Sequence, residues 1–122
     1  MPLFATTKRR WIHNNRLIAA AAADFVLCLY NPVSLRRQGQ LLRSREILLA
    51  HRPADTPVVL ARNLGRRGES VEPIRLGDLV PERLDMLSIA IVGNSRTRLF
   101  ERGRRTWVYT QRGYGAERAR DA

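Results

Sequence analysis

The stretch DFVLCLYNPVSLRRQGQLLRSREILLAHRPADTPVVLAR, residues 24–62, decides the fold. Within it, 25–30 form a short unbroken apolar run rich in strand formers, stopped by the turn pair Asn31-Pro32. Such a run predicts a strand buried on both faces, as in a parallel sheet. Residues 38–51 repeat with helical period. At 100° per residue Leu41, Leu42, Leu48 and Leu49 share one side, while Arg43, Glu46 and Ala50 lie opposite. Arg45 falls inside the apolar stripe and reads as a side chain whose stem packs on the sheet while its head reaches out. After His51-Arg52-Pro53, residues 57–62 form a second apolar run. Strand, helix and strand of these lengths predict a βαβ unit, with parallel strands joined by a right-handed crossover.

Outward from this unit, residues 7–23 hold good helix formers and an alanine run, with no Gly or Pro before Asp24. On the other side, 63–69 place Gly65 and Gly68 around Arg66 and Arg67, which predicts a loop. Residues 70–75 alternate weakly around Pro73 and fit an edge strand. Residues 76–83 read as a short helix broken near Pro81, and 86–92 as a third apolar strand ending in Gly93-Asn94-Ser95. The segments 96–100 and 106–110 pair as a hairpin around 101–104, and a polar tail follows from Gln111.

A chain of 122 residues that is 44% hydrophobic holds one folded domain with a real core. Its longest apolar stretch, 17–30, is interrupted by Asp24 and falls short of the roughly 18–20 residues that span a bilayer. Cys28 is the single cysteine, so no internal disulfide can form, and a reducing cytoplasm is the expected setting. Inside its apolar run it reads as a small buried hydrophobe. The net charge is +11, and every basic residue except Lys8 is Arg. Such a balance suits a polyanionic partner, but the arginines are scattered, and charge alone selects no partner.

The three strongest strands end in Tyr30-Asn31-Pro32, Asn63-Leu64-Gly65 and Gly93-Asn94-Ser95. Open α/β sheets bind ligands beyond the carboxyl ends of their strands, so these ends form a candidate binding edge if all three lie on one side. Turns are built from the same residue types, which is the plainer explanation. No self-contained catalytic set stands out. His13 and His51 lie on separate helices and make no metal-ligand spacing with Cys28. No phosphate-loop, nucleophile-elbow or dinucleotide fingerprint occurs.

The same blocks carry a family resemblance. ADFVLCLYNPVS (23–34), SREILL (44–49), HRPADTPVVLARNLGRRGE (51–69), DMLSIAIVGNSRTR (85–98) and YTQRGY (109–114) resemble, in order, the precorrin-3B C17-methyltransferase branch of the tetrapyrrole methylases. The likeness covers residues 16–114 and implies the C-terminal domain of that fold: α/β, a mixed sheet flanked by helices. Residues 1–15, with the basic start of the first helix, are atypical and read as a truncated beginning, while 115–122 form a loose tail. Members of the family bind S-adenosyl-L-methionine and the precorrin ring between two domains. The resemblance therefore implies a missing N-terminal methylase domain as partner, a possible homodimer, and no membrane. Carried over by position, backbone contacts to the cofactor fall on Asn31 and Leu64, flanked by Tyr30 and Asn63. Relatives often carry Met at the first of these positions and Gly or Ala at the second. The precorrin carboxylates suit guanidinium forks, for which Arg62, Arg66, Arg67 and Arg96 are the candidates. No catalytic acid or base is identifiable in this half.

Two other functions stay open at this level. A basic nucleic-acid-binding module would need arginines and aromatic residues on one face, or paired helices uninterrupted by strands. A non-catalytic domain docking on a separately encoded half is the other.

Overall fold

The computed structural model describes residues 14–30, 38–85 and 87–111. Asn31, Met86 and the polar tail beyond Gln111 lie outside the described residues, as do residues 1–13. Helix α1 (residues 14–22) buries Leu17 and Ala21, four apart on one side. It ends at Asp24, whose φ of 64° lies in the left-handed region. The amides of Asp24 and Phe25 donate back to the carbonyls of Ala21 and Ala20 at 3.1 Å, closing the helix end.

The chain continues through β1 (Leu27–Tyr30), α2 (Gln38–Leu49), β2 (Pro57–Arg62) and β3 (Ser70–Arg75). Two single 3-10 turns, Leu76–Asp78 and Pro81–Arg83, replace the expected short helix, with Pro81 opening the second. Strands β4 (Ser88–Val92), β5 (Thr97–Arg102) and β6 (Arg105–Thr110) complete the fold. The last two form a hairpin longer than expected, turning on two residues where Gly103 takes φ 65°.

The α/β architecture holds, but the strand order corrects the expected βαβ unit. The main sheet runs β1-β4-β2-β3, and each neighbouring pair is antiparallel. Strands β1 and β2 point the same way, yet β4 lies between them, pairing Leu27 and Val58 with the same Val92. The crossover through α2 thus skips one strand position. Strand β3 is the edge that Pro73 requires, paired only with β2.

Burial on both faces is also corrected. Leu48, Val58, Leu60, Leu76, Leu79 and Val92 form the fully buried center of one layer, where α1, α2 and the 3-10 segment meet one face of the sheet. The opposite face keeps Ile91 and Val71 exposed, and Cys28, expected inside, is exposed there as well. With all the described helices on one side, every second strand residue faces away from the core.

Helix α2 is rotated slightly from its expected setting. Leu41, Ser44, Ile47 and Leu48 are buried and Leu49 half-buried, while Leu42 is exposed. Arg45 behaves as expected: half-buried, with Nη1 reaching the carbonyl of Leu79 at 3.5 Å across the 3-10 segment.

Candidate functional site

Because β4 runs against β1 and β2, the three strand ends cannot form one edge. Tyr30 ends opposite Ile89 and Arg62 opposite Ser88, so the ends of β1 and β2 flank the beginning of β4. Gly93-Asn94-Ser95 emerges at the far end of the sheet, beside the starts of β1 and β2. The structure therefore brings together Tyr30, Arg62, Asn63, Leu64, Arg66 and Arg67, and separates Arg96 from them.

At the first edge the chain leaves β2 through Asn63, at φ 52°, and Gly65, at φ 74°. The Asn63 amide donates to the Leu87 carbonyl at 3.3 Å, tying this loop to the turn before β4. Arg66 donates its amide to the Asn63 carbonyl at 2.9 Å, and Asn63 Nδ2 donates to the Gly68 carbonyl at 3.4 Å. The loop is thus a compact, hydrogen-bonded turn. Leu64 is 47% exposed at its tip, and Arg66 and Arg67 are exposed beside it.

The turn before β4 is equally fixed. Ser88 Oγ accepts from the Asp85 amide at 2.9 Å and donates to Asp85 Oδ1 at 3.0 Å, which also takes the Leu87 amide at 2.8 Å. This leaves Leu87 exposed at the edge. Leu87 was invisible as a site residue in the sequence, because only antiparallel β4 places it there. Polar backbone at two turns and two exposed leucines suit a ligand with an apolar ring and hydrogen-bonding groups.

Arg62 has other occupations. Its guanidinium donates to the Arg83 carbonyl and lies 3.6 Å from Glu72 on β3. It fastens the edge, while Arg66 and Arg67 have no ion-pair partner among the described residues.

The far end is a polar cluster around Arg52, which is 5% exposed. Arg52 Nη1 donates to the Gly93 carbonyl at 2.6 Å and Nη2 to the Phe25 carbonyl at 2.5 Å. Burial lowers the Arg52 pKa, partly offset by the Asp24 charge. Asp24 accepts from the Ser95 amide at 3.0 Å and from the Ser95 hydroxyl, while Asn94 Nδ2 donates to the Asp24 carbonyl at 2.9 Å. Arg96 belongs here, adding positive charge near Asp24.

Burial acts to raise the Asp24 pKa, but the Ser95 hydrogen bonds and the charges of Arg52 and Arg96 outweigh it and hold it below the ordinary value. A lowered folded pKa adds stability that is complete above the unfolded value and lost as pH falls through the folded one. The carboxyl is mostly solvated, so the effect is modest. Denaturation midpoints should show Asp24→Asn destabilising at neutral pH, with the gap to wild type narrowing below about pH 4. A gap that does not change with pH would contradict the role given to the ionised carboxylate.

The hairpin carries a further charged surface. Cross-strand pairing and alternation put Arg98, Phe100, Arg102, Arg105, Trp107 and Tyr109 on one exposed face. Phe100 stacks near Trp107, with centroids 6.4 Å apart, and meets Tyr109 edge-on at 5.6 Å. The arginine-and-aromatic face that a nucleic-acid module requires is therefore present in miniature. No group of His, Cys, Asp and Glu among the described residues could hold a metal, and no described helix is long and apolar enough to cross a membrane.

No family model matches the chain. It is 42% identical over 100 residues to the precorrin-3B C(17)-methyltransferase of a Sinorhizobium species, which covers 81% of this chain and 39% of that protein. It is 45% identical over 82 residues to the probable cobalt-factor III C(17)-methyltransferase of Salmonella typhimurium, covering 67% of this chain and 34% of that one. The cobalamin biosynthesis protein CobIJ of Mycobacterium bovis is 45% identical over 103 residues, 81% of this chain but 20% of its own length. Among solved structures, the methyltransferase CobJ superposes with a TM-score of 0.72 at 35% identity, over 82% of this chain and 40% of the other. The chain thus spans well under half the length of each of these relatives. Over most of its own length, it is a homologue of one part of the C17-methyltransferases of cobalamin biosynthesis.

Proposed function

We propose that this domain is the C-terminal wall of an S-adenosyl-L-methionine-dependent methyltransferase acting at C17 of a precorrin-type ring. The observation that carries the reading is the edge where β1 and β2 end together, on a chain 42% identical to a precorrin-3B C(17)-methyltransferase. When bound, the cofactor supplies an electrophilic methyl group on a sulfonium, and transfer to a ring carbon is an in-line displacement that depends mostly on alignment. The residues of this chain bind and orient. Tyr30, Asn31, Asn63 and Leu64 offer backbone groups to the cofactor, with Leu64 and Leu87 as apolar surface for its adenine. Arg66 and Arg67 offer forks to ring carboxylates. Arg62 holds the edge through Glu72 and Arg83, and Arg96 lies at the far end of the sheet, beside Asp24.

The other wall comes from an N-terminal methylase domain outside these 122 residues. Calorimetry with S-adenosylhomocysteine tests the division. The chain alone should bind no tighter than about 1 mM, a few kcal/mol of affinity. Supplying the N-terminal domain of a C17-methyltransferase as a separate polypeptide should restore saturable binding. Micromolar affinity without it would overturn the half-site reading.

A further inference from the structure

The open side of the sheet is not flat. Where the β5–β6 hairpin leans over β2 and β3, the two enclose a groove of about 590 Å³, lined by Val59, Val71, Pro73, Arg104, Arg105 and Trp107 among others. That volume lies within the common range for small-molecule sites. Its walls set apolar side chains beside the two arginines, and they are wet: Val71 is 60% exposed and Trp107 47%.

Charge is concentrated at one end. Arg104 sits in the hairpin turn, and Arg105 pairs directly across from Arg102. Like charges opposite each other in a ladder repel, so three arginines within four positions load the tip unfavourably. Among the described residues no carboxylate lies within ion-pair distance of any of them. An anion seated there would relieve the repulsion. Apolar walls with guanidinium groups at one end complement a body that is apolar across its face and carboxylated at its rim. The groove also adjoins the edge described above. Val71 follows Ser70, which pairs with Arg62 immediately before Asn63.

We infer that this groove binds the carboxylated rim of a tetrapyrrole, with Arg104 and Arg105 holding side-chain carboxylates and Trp107 lying against the ring. The inference rests on the proposed substrate class and adds the hairpin to the surface that recognises it.

The test uses the full chain with Trp11→Phe, which leaves Trp107 as its single tryptophan. Titration with uroporphyrin, an octacarboxylate porphyrin, should quench Trp107 emission saturably. Arg104→Ser with Arg105→Ser should weaken binding about tenfold or more, equivalent to about 1.4 kcal/mol. Both positions are exposed at a hairpin tip, and an unchanged circular dichroism spectrum verifies that the variant is folded. Absence of quenching, or affinity within twofold in the double variant, overturns the inference. Displacement of the porphyrin by a thymidine 15-mer, with a steep dependence on salt, also overturns it and assigns the hairpin to single-stranded nucleic acid. S-adenosylhomocysteine binding with the N-terminal domain is scored separately. If that succeeds while the arginine variant binds porphyrin normally, the groove is wrong and the methyltransferase wall stands.

Discussion

Replacing Arg52 with methionine is expected to lower the unfolding free energy by about 3 kcal/mol, read from urea denaturation. The guanidinium joins three separate pieces of chain. It leaves the end of α2, donates to Gly93 just past β4, and donates to Phe25 just before β1. Hydrogen bonds from a charged donor contribute about 1.5–3 kcal/mol each, and methionine would leave both carbonyls without this partner. Relief from burying a charge offsets part of the loss, which is why the expectation stays below the sum of two such bonds. Arg52→Lys separates geometry from charge. Lysine is a point donor without the planar fork, so it should recover only part of the loss. Wild-type stability in the lysine variant would show that charge, and not the fork, matters. No loss in the methionine variant would remove Arg52 from the structural account.

The second large effect lies one bond away. A Cβ at Gly93 would stand 2.7 Å from the Pro57 carbonyl oxygen and 2.7 Å from both Thr97 Cβ and Cγ2. The Gly93 amide donates to that same carbonyl at 2.8 Å, so neither backbone can retreat without loosening the junction between β2 and β4. Thr97 is held too, its hydroxyl receiving the Asn94 amide at 2.8 Å and meeting Thr110 Oγ1 at 2.8 Å. Overpacking in such settings costs about 1–3 kcal/mol, and two fixed neighbours place Gly93→Ala at the upper end. A domain of this size holds roughly 5–15 kcal/mol in total, so either substitution removes a large share. An unfolding free energy within about 0.5 kcal/mol of wild type would show that the β4–β5 turn can open without cost.

Much of this fold is legible in the sequence. Pro73 marked the edge strand, Pro81 broke the segment after β3, and Asp24 ended α1, each through a backbone property of one residue. The strand order was not legible, for a physical reason. Val59, Cys28 and Ile91 face away from the helices yet are apolar, so β1, β2 and β4 read as continuous runs with no alternation to reveal an open side. Nothing in such runs says which neighbour each will take, and a strand-helix-strand sequence favours a parallel pair. The candidate site inherited that error. Asn63 and Leu64 follow directly on β2, Arg96 lies at the opposite end, and Leu87 went unnoticed. Arg52 was passed over because arginine at a helix end is usually solvated, and only three chain segments converging on it make it a buried donor.

The strand that separates β1 from β2 also governs the order in which the domain can be made. Leu27 has no sheet partner until Val92 exists, and Val58 also pairs with Val92. As the chain emerges, residues 24–62 cannot close into a sheet on their own. Within the main sheet, only the pairing of β2 with β3 is local enough to form early. The loop joining β1 to β4 must close before their contacts reward it, which slows folding and leaves apolar strands unpaired meanwhile. An insertion that arranges the edge in the finished domain thus makes the growing chain dependent on its later half.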